Sequence, residues 1–435
     1  MRQFAWKQVA WLLTLAGIVR LGAVVYWHHH WQGGFVFGDS CGYFELARSI
    51  AHGQPYQLST GEQIFRAPGY PLLLAPVFWF WDGARAVWAA RLESCLFGLL
   101  TVLAVAGWAG QLFGRRAAVI AGLIMAVYPE AVAISVPVLS EAPFCFLVAV
   151  NLLLWTAAWK GWERAAWSRG GKAILGRSPA VLALLAGATS GVATLVRPSW
   201  LLFTPFAVVC GLIFDQPRKQ MLLALAMFAG LSIVMLPWWA RNYRVCGHFV
   251  PTTLQVGASL YDGWNPQATG ASDMQFVPGM ENALRIEQTR QAEHESFEYR
   301  LDRRFRQAAW EWACGNPGRV VKLAGIKLLR IWNFWPNESS FSAWPVRLAV
   351  LFSYVPLMLF AALGMRKAAE WGWPGALCWL PAVYFSLLHM VFVSSIRYRQ
   401  PAMLGLVVIA SGYVASLRLT NAISRTGSPP SSPNA

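Results

Sequence analysis

Ten stretches of this chain carry apolar side chains almost without interruption, and that repetition decides most of what it can fold into. They are Val9–Tyr26, Val87–Trp108, Ala117–Val127, Ala142–Trp159, Pro179–Leu195, Leu201–Phe214, Met221–Trp239, Val346–Leu363, Pro374–Val393 and Ala402–Leu417. Inside a bilayer the backbone must satisfy its own N–H and C=O groups, so a run of about 20 apolar residues reads as a spanning helix. Ala117–Val127, Pro179–Leu195 and Leu201–Phe214 are shorter, which leaves the count of about ten open by one or two. The expected class is an all-α integral membrane protein, a polytopic helical bundle. Charged residues make up only 13% of the chain, against about 25% in soluble domains, which excludes an ordinary soluble fold. Val9–Tyr26 lacks a small-residue cleavage site and reads as a retained first helix, not a signal peptide.

The net charge of +16 does not mark a nucleic-acid binder, because many of the cations sit in short segments between apolar runs and no RNA- or DNA-binding module is recognisable. With the N-terminus inside, the inner segments are Met1–Gln8, Gly110–Arg116, Lys160–Ser178, Asp215–Gln220, Gly364–Trp373 and Arg418–Ala435. Each carries at least two Lys or Arg, as the positive-inside rule requires. Among the short outer loops only the one holding Arg397 and Arg399 is comparably basic.

This orientation leaves two long outer segments, residues 28–86 and 240–345, attached to one membrane domain over residues 1–417. The segment 418–435 is expected to be a disordered inner tail, its end rich in Ser and Pro. In the first outer segment the apolar residues Tyr43, Leu46, Ala47, Ile50 and Ala51 recur at helical spacing, with Glu45, Arg48 and His52 opposite. That pattern predicts a helix lying in the interface. In the second, one amphipathic helix is expected over Glu281–Trp312. Cys246 and Cys314 also fall outside, where a disulfide between them is chemically open.

Once sides are assigned, the unusual polar residues gather outside. Asp39 stands at the start of the interfacial helix, where an N-cap role and a general-base role are both available. Glu141 lies at the outer mouth of a helix pair. Arg197 and Arg241 each follow the outer end of an apolar run, and Arg397 and Arg399 precede the last span. Any one of these arginines could simply snorkel to the headgroups. No HExxH-type spacing occurs, and His28–His30 read as an interfacial run, so no metal site is assigned.

The motifs GDS…YFELARSIAHGQPY…FRAPGYPLLLAP, PVLSEAPF, RPSW, PWWARNY and RYRQP, in that order, resemble the GT-C glycosyltransferases. The branch nearest in pattern is that of bacterial protein mannosyltransferases and lipid A aminoarabinose transferases, the family 39-like group. The resemblance implies a GT-C bundle with outer interfacial helices, and Asp39 in the first-loop catalytic acidic position. It also implies Arg66 near the donor phosphate, Glu141 as a second acidic position, and Arg241 as the basic residue after the seventh helix. Tyr43, Tyr70, Arg197, Asn242 and Tyr398 lie in the same motifs and are further pocket candidates. Two departures matter: Ser40 follows Asp39 where many members have a second acid, and Gly42 stands where some carry a cation. Phosphate binding is therefore expected to lean on Arg66, Arg241, Arg397 and Arg399.

The implied partners are a polyprenyl-phosphate sugar donor, since nucleotide sugars are generally confined to the cytoplasm, and a protein, lipid or glycan acceptor. The implied location is the inner (plasma) membrane, with the site facing out. No cofactor is implied, and a divalent-metal requirement stays open. Arginine forks suit a leaving phosphate, and a carboxylate suits the acceptor's proton. A lipid-linked oligosaccharide polymerase or ligase would also want outer arginines but not the GDS and RAPGYP motifs. A transporter would want polar residues at mid-membrane, where this chain has few beyond Arg91 and Glu93.

Overall fold

A computed structural model describes residues 6–31, 34–167, 178–290, 295–336 and 343–426. Eight helices among them are long and apolar enough to cross a bilayer. Six of the eight are α1 (Trp6–His30), α4 (Gly83–Val127), α6 (Glu141–Trp167), α7 (Pro179–Val196), α9 (Pro217–Cys246) and α14 (Trp344–Ala369). The others are α15 (Trp373–Val391) and α16 (Gln400–Thr426), whose apolar span is counted from Ile396 to Leu417. Proline opens α7, α9, α14 and α15, at positions where its missing N–H costs no helix bond.

Two of the ten expected spans have a different character. Ala117–Val127 is the return arm of a hairpin inside α4, because Gly114 adopts φ +83°, a conformation that only glycine takes readily. The arms pack antiparallel, Gly110 facing Ala118 and Gly122 facing Ala106. Leu201–Phe214 becomes α8 (Phe203–Phe214), 12 residues long and about 18 Å, short against a hydrocarbon core of about 30 Å. Helices α7 and α9 approach most closely where Gly187 meets the Met227 carbonyl and Gly230 the Leu184 carbonyl, the small-residue contact that membrane helices use to bring backbones together.

The remaining helices are α2 (Gly38–Ala51), α3 (Gly69–Leu74), α5 (Pro129–Ala133), α10 (Val256–Gly263), α11 (Val277–Arg290), α12 (Phe297–Gly315) and α13 (Pro317–Ile331). The interfacial helix expected after Asp39 is present as α2. The single helix expected over Glu281–Trp312 is instead two, α11 and α12. Helix α16 continues to Thr426, past the expected boundary at 417, and residues 427–435 lie outside the described residues, as does most of the Lys160–Ser178 segment. Cys246 and Cys314 are both free: Cys246 is buried against the Asn242 carbonyl at the end of α9, while Cys314 is exposed on α12.

The described parts of the two long segments, 28–86 and 240–345, are fastened to each other in one layer. The Glu298 carboxylate accepts the N–H groups of Gln63 and Ile64 at 2.9–3.1 Å, and Leu254 N–H donates to the Ile64 carbonyl. A second fastening joins this layer to α15. Lys327, buried on α13, donates to the carbonyls of Gly263 and Val391. Ser394 N–H donates to Gly270, and its hydroxyl to the Lys327 carbonyl. The segment leading to Arg397 is thus held by this layer.

Candidate active site

Asp39 lies in the first turn of α2, but the cap position is taken by Phe37, and no side chain caps the helix. The N-cap reading is therefore corrected. The carboxylate instead turns to Arg66, with Oδ1 2.6 Å from Nη2. Arg66 is braced by Gln255 Oε1 at 3.3 Å and lies over the rings of Tyr43 and Phe65. Tyr43 meets Tyr70 edge-on, centroids 5.0 Å apart. Burial pushes the Asp39 carboxyl up, but Arg66, with Arg397 and Arg197 farther off, outweighs it and holds the group below the usual carboxylate range.

Across from this pair, Glu141 opens α6 and is buried. Its Oε1 accepts Arg197 Nη1 at 2.8 Å and lies 3.1 Å from Arg397 Nε. Arg197 ends α7, and Arg397 sits in the 3-10 turn Ile396–Arg399 before α16. Arg397 also donates to the Tyr398 hydroxyl at 3.2 Å and stacks over Phe37, which brings it beside the start of α2. The Tyr398 ring is sandwiched with His389, centroids 5.0 Å apart. Five separate stretches of chain thus bring Asp39, Tyr43, Arg66, Tyr70, Glu141, Arg197, Arg397 and Tyr398 into one constellation.

Three expected residues do other work. Arg399 is fully buried: it pairs with Glu130, donates to the carbonyls of Ile331 and Asn333, and lies over the Tyr354 ring. Arg241 donates to the carbonyls of Gln63 and Tyr56, both at 3.1 Å, between the rings of Tyr56 and Trp238. Tyr56 in turn donates to the Arg66 carbonyl, so Arg241 supports Arg66 at one remove. Asn242 is buried and donates to the Val250 carbonyl. Sequence reasoning missed Glu130, Gln255 and Glu298, and the only signal for Glu130 was an acid directly after the proline that ends an apolar run.

An apolar cavity of about 230 Å³ adjoins the Glu141–Arg397 pair, lined among others by Phe37, Ile134, Leu139, Val346 and Val350. Its polar lining is Glu130, Glu141, Ser395, Arg397 and Gln400. The cluster holds three cations against two carboxylates, leaving one net positive charge. That arrangement can accept a monoanion whose apolar tail lies in the cavity. Among the described residues no three His, Cys, Asp or Glu side chains converge as metal ligands.

Residues 67–239 match the family model of dolichyl-phosphate-mannose-protein mannosyltransferase. No curated protein matches the chain by sequence. Among solved structures, the oligosaccharyltransferase AglB from Archaeoglobus fulgidus, in complex with an inhibitory peptide and a dolichol-phosphate, superposes with TM-score 0.55 at 17% identity, over 99% of this chain and 53% of that one. The apo form of the Archaeoglobus fulgidus oligosaccharyltransferase gives 0.57 at 16% identity, over 98% and 53%. ArnT from Cupriavidus metallidurans bound to undecaprenyl phosphate aligns over 99% of this chain and 82% of its own, at 15% identity and TM-score 0.43. The chain spans about half the length of the archaeal enzyme it matches. The GT-C resemblance drawn from the sequence is borne out: the fold is that of a polytopic GT-C membrane protein.

Proposed function

From a GT-C fold and a mannosyltransferase-family match, we propose that this chain is a glycosyltransferase moving a sugar from a polyprenyl-phosphate donor to an acceptor hydroxyl. The observation that carries the reading is the arginine cluster of net charge +1 beside an apolar cavity, with Asp39 paired to Arg66 at 2.6 Å. A sugar esterified to a polyprenyl phosphate is a monoanion with an apolar tail, and it matches both features. The match to the dolichyl-phosphate-mannose family model and the dolichol-phosphate bound to the archaeal relative support the same class of donor.

In this reading the donor phosphate is held by Arg66 and Arg397, with Arg197 behind them. Glu141 keeps Arg197 and Arg397 charged and oriented, and both groups are already committed to it. Arrival of the phosphate competes with Asp39 for Arg66. The carboxylate then loses its cation, gains an anionic neighbour and becomes a stronger base. The acceptor O–H gives its proton to Asp39 while its oxygen bonds to the anomeric carbon. The bond from that carbon to the phosphate oxygen breaks, and the electron pair leaves on polyprenyl phosphate, stabilised by the arginine forks. Direct displacement with one base inverts the anomeric centre. The acceptor is a protein, lipid or glycan hydroxyl.

The basic short segments support a plasma-membrane protein with this site facing out. In a background with the exposed Cys41 and Cys314 replaced by Ser, Arg115→Cys and Arg303→Cys should then react with an impermeant thiol reagent from opposite sides, and labelling of both from one side would refute that orientation. The activity test incubates purified protein with a panel of polyprenyl-phosphate sugars and acceptors, reading release of polyprenyl phosphate. Consumption of diphosphate-linked glycans alone would favour a polymerase or ligase, and no turnover with any phosphate-linked sugar would overturn the reading.

A further inference from the structure

A second opening lies away from this site, at the other end of α14 and α16. It is a groove of about 630 Å³, walled by the α4 hairpin turn, the end of α14 and the later part of α16. Its origin is legible in the residues. Gly412 and Ala415 give α16 a low surface there, and the Phe113 ring packs directly on Gly412. Phe113 meets Trp371 edge-on, centroids 6.3 Å apart, which closes one wall. Behind that wall Lys160 reaches over the Trp371 ring at 4.2 Å while donating to the Gln111 carbonyl.

The rim is cationic. Arg115 and Arg116 follow Gly114 at the hairpin turn, and Lys367 faces them from α14. Among the described residues no carboxylate pairs with any of the three, although Glu370 lies in the same groove. Arg115 spends its Nε on the Gln8 side chain at 2.9 Å. The groove is remote from Asp39: Gln400 adjoins the cavity beside Arg397, and α16 rises about 1.5 Å per residue from there to Gly412, so the two are separated by roughly 18 Å along that helix alone. An apolar floor between membrane helices under a basic rim is what recognises an anionic lipid headgroup.

We propose that this groove is a seat for an anionic phospholipid, its phosphate against Arg116, Lys367 and Arg115 and one acyl chain over Phe113 and Ala415. The charge argues for an anion, and the floor argues for a ligand that brings its own hydrocarbon. A soluble phosphate would gain nothing from that floor, and a zwitterionic lipid would gain little from three unpaired cations.

The test is a lipid titration of the purified full chain in neutral detergent, read by native mass spectrometry as bound lipid per protein. The probes are phosphatidylglycerol, phosphatidylcholine, polyprenyl phosphate and inorganic phosphate. The wild-type protein should retain phosphatidylglycerol in preference to phosphatidylcholine. At about fivefold per cation, the Arg116→Ala/Lys367→Ala protein should bind it about twenty-five-fold more weakly. Glu370→Gln, which removes only the opposing charge, should bind phosphatidylglycerol as tightly or more tightly. It serves as the readout if the double variant fails to fold. Equal retention of the two phospholipids, or wild-type affinity in a folded double variant, or weaker binding by Glu370→Gln, would each overturn the proposal. So would displacement of phosphatidylglycerol by inorganic phosphate, or by polyprenyl phosphate at equal concentration. None of these outcomes depends on the transferase reading, whose failure shows only in the turnover assay.

Discussion

Replacing Asp39 by Asn removes one negative charge from a cluster that holds three cations and two carboxylates, while keeping an oxygen that can accept from Arg66. Three consequences can be worked from the geometry. Turnover at saturating donor should fall by about two orders of magnitude or more, the scale of general-base loss, equivalent to about 2.7 kcal/mol or more in the barrier. The donor KM should stay level or drop, because the cluster goes from one net positive charge to two and Arg66 no longer has an anionic partner to release. Stability should change little: the Asp39 side chain is 41% exposed, so its ion pair is screened and contributes about 0–1 kcal/mol, or about 2 °C at most in Tm for a chain of this size. Asp39→Ala should behave like Asp39→Asn in stability, since no side chain caps α2. The assay is steady-state release of polyprenyl phosphate, with melting recorded on the same preparations. A folded Asp39→Asn protein with near-normal kcat would refute the reasoning outright, and Asp39 would then be only the counter-ion of Arg66.

Arg397→Lys keeps the charge but loses the planar fork, so donor KM should rise about tenfold or more; an unchanged KM would move phosphate recognition elsewhere. Glu130→Gln leaves Arg399 buried beside a neutral partner and should cost about 3–5 kcal/mol, seen as lower folded yield and Tm, whereas a wild-type melting curve would show that pair to be dispensable. Glu298 is pushed up to about 7, first by burial and then by Glu62, against the N–H groups of Gln63 and Ile64 and the charge of Arg241. Its folded value lies above its unfolded one, so the stability it contributes is fully present below about pH 4.5 and is lost as pH rises through 7. Proteolytic cutting between residues 54 and 66 should therefore increase from pH 5 to pH 8, and Glu298→Gln should flatten that slope; an equal slope in the variant would count against the linkage.

The membrane helices could be read from the sequence because an apolar run is a local property that needs no partner to be visible. The Gly114 turn falls within the expected inner segment Gly110–Arg116, where Arg115 and Arg116 interrupt the apolar pattern. Asp39 and Arg66 share one loop, and motif order alone was enough to associate them. Arg397 and Arg399 show the limit. They look like a pair, but they sit in a 3-10 turn, where each residue advances about 120°, so two residues apart they point to different sides. One reaches Glu141, and the other is buried against Glu130. Neither acid is near them in sequence, and nothing local says which arginine takes which partner. Arg241 holds the carbonyls of a neighbouring loop, a use that depends on a fold no side assignment supplies.

The shared hold of Glu141 on two arginines also sets an order of assembly. A ribosome delivers Glu141 first, Arg197 soon after, and Arg397 only after residues 240–345. Until then the nascent chain holds two cations, Arg66 and Arg197, against two acids, Asp39 and Glu141, and the cluster is electrically neutral. Only the arrival of Arg397 gives the cluster its net positive charge. The last helix pair to be made, α15 and α16, fastened through Lys327 and Ser394 to a layer made before it, thus completes the cluster.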